Sequence, residues 1–115
     1  MFGTPDQHQV CERFGAPLVL SPPDLKVGIA KATLSSATRL NGLRHPPTGD
    51  TTGWYIWAGE TLSSEADFFA PLHVAHLDEF CPRVLAYLGL PPGWRFLIAD
   101  GYEDVWFDPT LLEGS

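Results

Sequence analysis

The sequence has few cysteines, few basic residues and no long apolar run, and each shortage excludes a class of protein. Two cysteines in 115 residues are too few for a disulfide-stabilised scaffold. No apolar stretch approaches the roughly 18 residues that a membrane span needs. Residues 1–8 show neither a basic start nor an apolar stretch. We therefore expect no secretory signal and a cytoplasmic protein.

Basic residues are scarce and unevenly placed. The chain has 7 Lys and Arg against 14 Asp and Glu, a net charge of −7. Residues 1–49 hold three acids and five bases, whereas residues 50–115 hold eleven acids and two bases, a net of −9. Nucleic acid and anionic membranes would be repelled by such a surface. A basic protein would be attracted, although surplus acid also serves simply to keep proteins soluble.

Aromatic residues are abundant, with seven Phe, four Trp and three Tyr, and a disordered chain does not carry that load. The length is that of one domain. Eleven prolines and eleven glycines divide it into short elements. We expect residues 1–24 to be loosely ordered, with helical potential over 7–14, and residues 25–115 to form one α+β domain.

Periodicity predicts one main helix over about 71–88. Apolar residues recur there with helical spacing, and Pro82 predicts a kink, or a break with Pro82 in the first turn of a second piece. The stripe comprises Leu77, Phe80, Cys81, Val84, Leu85 and Leu88.

Alternating or β-branched residues predict strands at 25–29 and 54–58. Asp100-Gly101, between 94–99 and 102–107, predicts a hairpin with a two-residue turn. The expected fold is α+β, an antiparallel sheet of about four strands with the proline-interrupted helix across it. In this register one face carries Trp94, Phe96, Ile98, Val105 and Phe107, beneath the helix, and the other carries Arg95, Leu97, Asp104 and Trp106. Arg95 lies opposite Trp106, within reach of a cation–π contact or of an ion pair with Asp104.

The central strand predicts two apolar faces. Trp54 and Ile56 share one face, and Tyr55 and Trp57 share the other. A two-layer domain of this size buries only one face well, so we expect the other to be covered by the first forty residues, a second protomer or a partner.

A small set of residues suggests catalysis or metal binding. His73 and His76 are three residues apart on the predicted helix, close to Asp78 and Cys81. The Glu of a His-Glu-x-x-His metalloprotease is absent, and His73 falls within the apolar stripe. We expect a buried, unliganded His73, no metal and no cofactor. A small metal-dependent or hydrolytic enzyme using His73 and His76 with nearby acids is the alternative.

Five segments together resemble a bacterial immunity protein family of polymorphic toxin systems, family number thirty-three, formerly described as a domain of unknown function. The resemblance covers about residues 25–112. The segments are NGLRHPPTGD (41–50), GWYIWAGE (53–60), DFFAPLHVAH (67–76), YLGLPPGWRFLI (87–98) and GYEDVWFD (101–108).

The resemblance implies a non-catalytic cytoplasmic protein that binds and neutralises a toxin delivered between bacteria, such as a nuclease or another secreted effector domain. It defines no binding residues. A structural or oligomerising subunit without a toxin is a third hypothesis, and a homo-oligomer stays open.

Charge and strand register predict the binding face. We expect an aromatic centre with an acidic rim, which is the usual anatomy of a tight interface, facing a toxin with a basic surface. The predicted partner-binding residues are Glu60, Asp67, Glu103, Asp104 and Asp108, with Trp57 and Trp106 as anchors.

Overall fold

A mixed sheet of six strands organises the computed structural model, which describes residues 5–22, 24–30, 39–58, 70–77, 82–99 and 101–112. The fold is α+β, as predicted. The described elements are α1 (Pro5–Phe14), β1 (Lys26–Ile29), β2 (Leu40–Arg44), β3 (Thr51–Ala58), β4 (Ala70–His73), β5 (Trp94–Ala99), β6 (Tyr102–Phe107) and 3-10 helices at Val74–His76, Pro82–Tyr87 and Pro109–Leu112.

The strand order is β4-β1-β3-β2-β5-β6. Strands β1 and β3 are parallel, and every other pair is antiparallel. The prediction of about four antiparallel strands was therefore wrong in number and in direction. Strand β2 escaped the sequence analysis because Gly42, at its centre, interrupts the apolar pattern. Strand β4 escaped because Pro71 lies within it, and proline is tolerated in a sheet mainly at an edge.

The principal core lies on one face of the sheet, here called the first face and marked by Trp54, Ile56 and Phe96. Helix α1 and the segments 74–77 and 82–90 supply the residues that pack against it. The Tyr87 ring stacks on Phe96 with centroids 4.9 Å apart. Leu88 is fully buried in this layer. The first face is thus the interior of a conventional two-layer α+β domain.

A smaller cluster lies on the opposite face, here called the second face. It contains Ala30, Leu43, Trp57 and Leu111, with Tyr55 packed against it. The predicted division of β3 into two apolar faces is confirmed. Part of the cover comes from the C-terminal 3-10 helix, whose Leu111 is 7 % exposed.

The predicted helix over 71–88 is wrong at its beginning, where Ala70–His73 forms β4 and pairs with β1. His73 is exposed, so its predicted burial was also wrong. Backbone pairing with a neighbouring strand outweighs a helical pattern that contains a proline. Beyond the proline, Pro82–Tyr87 is a 3-10 helix rather than the α-helix expected there, and the break at Pro82 stays a prediction. Residues 78–81, including Phe80 and Cys81, lie outside the described residues.

Residues 5–22 have more order than their composition predicted. Helix α1 carries Asp6 in its first turn and Arg13 in its last, which suits the helix dipole. It ends in a Schellman motif, in which Ala16 N donates to Cys11 O and Gly15 adopts a φ of 73°. Val10 is 2 % exposed and joins the first-face core.

The predicted hairpin and its register are confirmed. Ala99 pairs with Tyr102, Phe96 pairs with Val105, and Gly101 has the positive φ that the turn needs. One residue was misassigned: Phe107 was expected in the core and is 48 % exposed. It ends the edge strand, at the margin of the sheet, where less of the core layer is available to cover it.

Candidate partner-binding surface

Arg95 organises the second face at the β5–β6 end of the sheet. It pairs with Trp106 across the strands, as predicted, and its guanidinium carbon lies 5.4 Å from the centroid of that ring. Its ion pair is with Asp108 rather than Asp104, at 3.2 Å from Nη1 to Oδ2. Trp106 is half-buried by this arrangement. The guanidinium of Arg95 thus lies over the indole ring, and part of that ring stays exposed to solvent.

Asp108 is held in place at the end of β6. Its Oδ1 accepts hydrogen bonds from the backbone N and the hydroxyl of Thr110, at 3.1 and 2.6 Å. These bonds to Thr110, followed by the bond from Arg95, lower the pKa of the carboxyl below its ordinary value. Asp108 is therefore an anchored, ionised group immediately before the C-terminal 3-10 helix.

Asp104 and Tyr102 are the accessible residues of β6 on the second face. The side chain of Asp104 is exposed, and Tyr102 is 52 % exposed. Strand alternation places both on the same side as Trp106. Together with Trp106 they form an acidic–aromatic strip at the edge of the sheet.

Glu103 lies on the first face, opposite Asp104. Its carboxylate accepts two bonds from Arg13, at 2.6 and 3.1 Å, and a short bond from the Tyr87 hydroxyl. Chiefly because of the bonds from Arg13, the pKa of Glu103 is lowered, and burial, followed by the bond to Glu103, raises that of Tyr87. This carboxylate joins α1 and the 3-10 helix 82–87 to the last strand.

Trp57 lies beneath the second face, at 4 % exposed, packed with Leu43 and Leu111. His45 Nδ1 donates to the carbonyl of Leu111 at 3.1 Å, and its ring meets Tyr55 edge-on at 5.6 Å. An indole buried to this extent would touch a partner only after a rearrangement. The other two predicted contact residues, Glu60 and Asp67, lie outside the described residues.

A family model for the Imm33-like domain matches residues 6–108. The chain belongs to the Imm33-like domain family. Searches of curated proteins and of solved structures found no match.

The family match confirms the resemblance seen in the sequence and extends it. It begins at residue 6, so α1 belongs to the Imm33-like domain. Helix α1 contributes Cys11, whose Sγ lies 3.3 Å from the carbonyl of Gly89 and whose pKa is raised by burial. Among the described residues, no helix of this Imm33-like domain is long and apolar enough to span a membrane.

The histidine pair of the alternative enzyme hypothesis lies elsewhere in the Imm33-like domain. His73 and His76 are exposed near the β4 edge, with ring centroids 6.1 Å apart. In the part of the chain that the structure describes, no three His, Cys, Asp or Glu side chains are grouped so as to hold a metal ion.

Sequence reasoning missed Arg13, Tyr87 and the exposed Tyr102 and Phe107. Arg13 and Tyr87 are 74 residues apart, so only the fold joins them. The two exposed aromatics had an available signal: they begin and end the final predicted strand, which is a natural edge of a sheet.

Proposed function

We propose that this Imm33-like protein is a non-catalytic immunity protein that binds a cognate bacterial toxin in the cytoplasm and neutralises it. The observation that carries the proposal is the family match over 6–108, which spans nearly the whole chain. The toxin is a secreted effector domain, such as a nuclease, that presents a basic surface. Binding to the toxin, rather than chemistry on it, is the proposed mode of action.

The proposed binding surface is the acidic–aromatic strip at β6 and its surroundings. Trp106 is the aromatic centre, held by Arg95, and Asp104 is an accessible charge beside it. Asp108, paired with Arg95, lies at the end of the strip, and Glu103, paired with Arg13, lies on the first face. Both remain proposed partner-binding residues. Trp57 is buried on the same face of the sheet with Leu43 and Leu111, and it remains a proposed anchor on the basis of the sequence. Glu60 and Asp67 remain proposed rim residues on the basis of the sequence.

Long-range charge supports a basic partner. Residues 50–115, which include the strip, carry a net of −9, and the whole chain carries −7. Complementary potentials raise the rate at which two proteins meet and disfavour like-charged partners. A toxin with a nucleic-acid-binding cleft would present the opposite charge.

Co-expression tests the proposal directly. Cells that express a toxic C-terminal domain encoded immediately upstream should survive only when this protein is present. Purified protein should bind that domain in an isothermal titration. Toxicity unchanged by the protein, together with no detectable binding, would refute the proposed function.

A charge-reversal pair localises the surface. Asp104→Lys should weaken protection, because it places a cation beside Trp106 facing a basic partner. Asp24→Lys is the matched control: Asp24 is also exposed and lies just before β1, four strands away from β6. Equal protection by both variants, with both folded by circular dichroism, would place the surface elsewhere.

A further inference from the structure

The two edges of the sheet are built differently. Strand β4 is four residues long and contains Pro71, which are features that blunt an edge. Strand β6 spans six residues, Tyr102–Phe107, contains neither proline nor lysine, and pairs with β5 without a register shift. In the described part of the chain β5 is its only strand partner. Strand β6 thus lacks the proline, the lysine and the bulge that commonly protect an edge, and its accessible charge is the carboxylate of Asp104.

The outward backbone groups of β6 can be assigned from the register. In a hairpin with a two-residue turn, the flanking pair Ala99–Tyr102 exchanges both hydrogen bonds, and bonded pairs then alternate. Asp104 and Trp106 therefore turn their backbone groups toward β5. Glu103, Val105 and Phe107 turn theirs away from the sheet, where a further strand would bind.

The side chains beside these groups favour an extended and basic occupant. Tyr102 and Phe107 are 52 % and 48 % exposed at the two ends of β6, and Leu112 is 43 % exposed close to Phe107. Asp104 projects from the second face, as Tyr102 does, whereas Phe107 projects from the first face, and no ion pair of Asp104 is seen among the described residues. After Arg95 the sequence contains five acids and no Lys or Arg.

We propose that β6 binds the toxin by strand addition. An extended toxin segment pairs with the outward groups of Glu103, Val105 and Phe107, places a Lys or Arg beside Asp104, and rests apolar side chains on Tyr102 and Phe107. A second copy of this chain is disfavoured as the occupant because each copy carries −7. The inference rests on the proposed function, since it names how that toxin is held.

Amide hydrogen exchange tests the pairing without any substitution. In the free protein, the amides of Glu103, Val105 and Phe107 should exchange faster than those of Asp104 and Trp106. Addition of the purified toxin domain should slow exchange at the amides of Glu103, Val105 and Phe107, so that fast and slow exchange no longer alternate along β6. Binding that leaves these three amides unprotected would overturn the inference and leave the proposed function intact. An absence of binding would instead be a failure of the proposed function.

Pairs of proline and alanine variants isolate the contribution of one backbone N–H donor. Phe107→Pro and Phe107→Ala both lose the ring, but only the proline loses the outward N–H. The proline variant should bind the toxin domain about tenfold more weakly than the alanine variant, the loss of about one interfacial hydrogen bond. Glu103→Pro and Glu103→Ala form a second pair, since both lose the bonds to Arg13 and Tyr87. Equal affinity within both pairs would contradict strand addition.

Sedimentation of the free protein tests whether a second copy of the chain pairs with β6 instead. We expect a monomer at micromolar concentration, unchanged by Phe107→Pro. A dimer that dissociates in Phe107→Pro but not in Phe107→Ala would assign the edge to a second copy and overturn the proposal.

Discussion

Arg44 shows how a single residue can hold several segments together. It is 2 % exposed, and within the described structure its guanidinium donates to the carbonyls of Val19, Leu20, Thr52 and Leu90. Burial lowers its pKa to about 10, so the group is still charged at neutral pH. One side chain thereby satisfies carbonyls from the N-terminal segment, β3 and the loop before β5.

Arg44→Ala should destabilise the fold by about 3 kcal/mol, because it leaves buried carbonyls without donors and opens a cavity. Arg44→Lys should recover part of this loss, since an ammonium retains charge and three donors but cannot reach all four oxygens. Chemical denaturation at pH 7 measures both. A loss below about 1 kcal/mol in the alanine variant would mean that water replaces the guanidinium.

Glu103 predicts a pH dependence of stability. Its folded pKa is lowered, mainly by the bonds from Arg13, so the ionised form stabilises the fold. That contribution is complete above the ordinary pKa of a glutamate and is lost as the pH falls through the lowered folded value. Glu103→Gln should therefore be less stable than the parent at pH 7, and the difference should shrink as the pH falls below 4. A difference that is constant between pH 7 and pH 3 would contradict this.

Tyr87 gives stability the opposite pH dependence, through its bond to Glu103 in the same cluster. Its pKa is raised by burial and by the bond to Glu103, so the fold favours the protonated phenol. The stabilisation is present below the ordinary pKa of tyrosine and declines as the pH rises above it. Tyr87→Phe, which keeps the stack on Phe96, should remove this alkaline decline in a denaturation series.

At the scale of elements, the β2–β5 contact depends on a missing side chain. Gly42 pairs with Phe96, and a Cβ at residue 42 would overlap the Phe96 ring. That ring is also held by Trp54 and Tyr87, with centroids 5.6 and 4.9 Å away, so it cannot easily move. The glycine that concealed β2 in the sequence is thus the residue that lets the two strands approach.

Gly42→Ala should destabilise the protein by about 1–3 kcal/mol through overpacking. Phe96→Leu should destabilise it by leaving a cavity. The double variant should be more stable than the sum of the two losses predicts, because the smaller leucine makes room for the new methyl group. Strictly additive losses in a denaturation cycle would show that the two residues do not compete for the same space.

The elements that could be predicted from sequence are those whose signals are local. The hairpin follows from Asp100-Gly101 and the flanking alternation, and its register places Arg95 opposite Trp106 as expected. Helix α1 was underestimated because its packing onto the 3-10 helix 82–87 is a tertiary effect, seen in the bond from Gln7 Nε2 to the carbonyl of Leu85 at 2.9 Å. Strand β4 pairs with β1, a long-range contact that its own sequence does not signal.

The candidate site likewise has features that local sequence signals predict and features that depend on long-range contacts. The exposure of Asp104 and its place beside Trp106 follow from register alone. The role of Glu103 does not, because its partners Arg13 and Tyr87 come from distant parts of the chain. Burial of Trp57 likewise depends on Leu111, which returns across the second face after the last strand. Periodicity cannot reveal such long-range cover.

At the scale of the whole molecule, the net charge that acts at long range differs from the charge that a partner meets at contact. Two acids at the β6 end of the sheet are paired within the fold, Glu103 of β6 with Arg13 and Asp108, just after β6, with Arg95. These ion pairs do not change the net charge of the chain, which is −7. A partner at long range experiences this net charge, whereas at contact it meets mainly Asp104 and the aromatic side chains. We therefore expect charge to control the rate of association, and the apolar contacts and backbone pairing to control dissociation.

The association rate with the toxin domain should fall steeply as salt rises, because screening shortens the reach of the field. Asp104→Asn should lower the rate and flatten its salt dependence while hardly changing dissociation. Trp106→Ala should do the reverse, costing about 2 kcal/mol or more in affinity mainly through faster dissociation. Stopped-flow and surface-plasmon measurements between low and high salt separate the two. If Trp106→Ala unfolds the free protein, the indole belongs to the core; if Asp104→Asn changes only dissociation, steering by this acid is refuted.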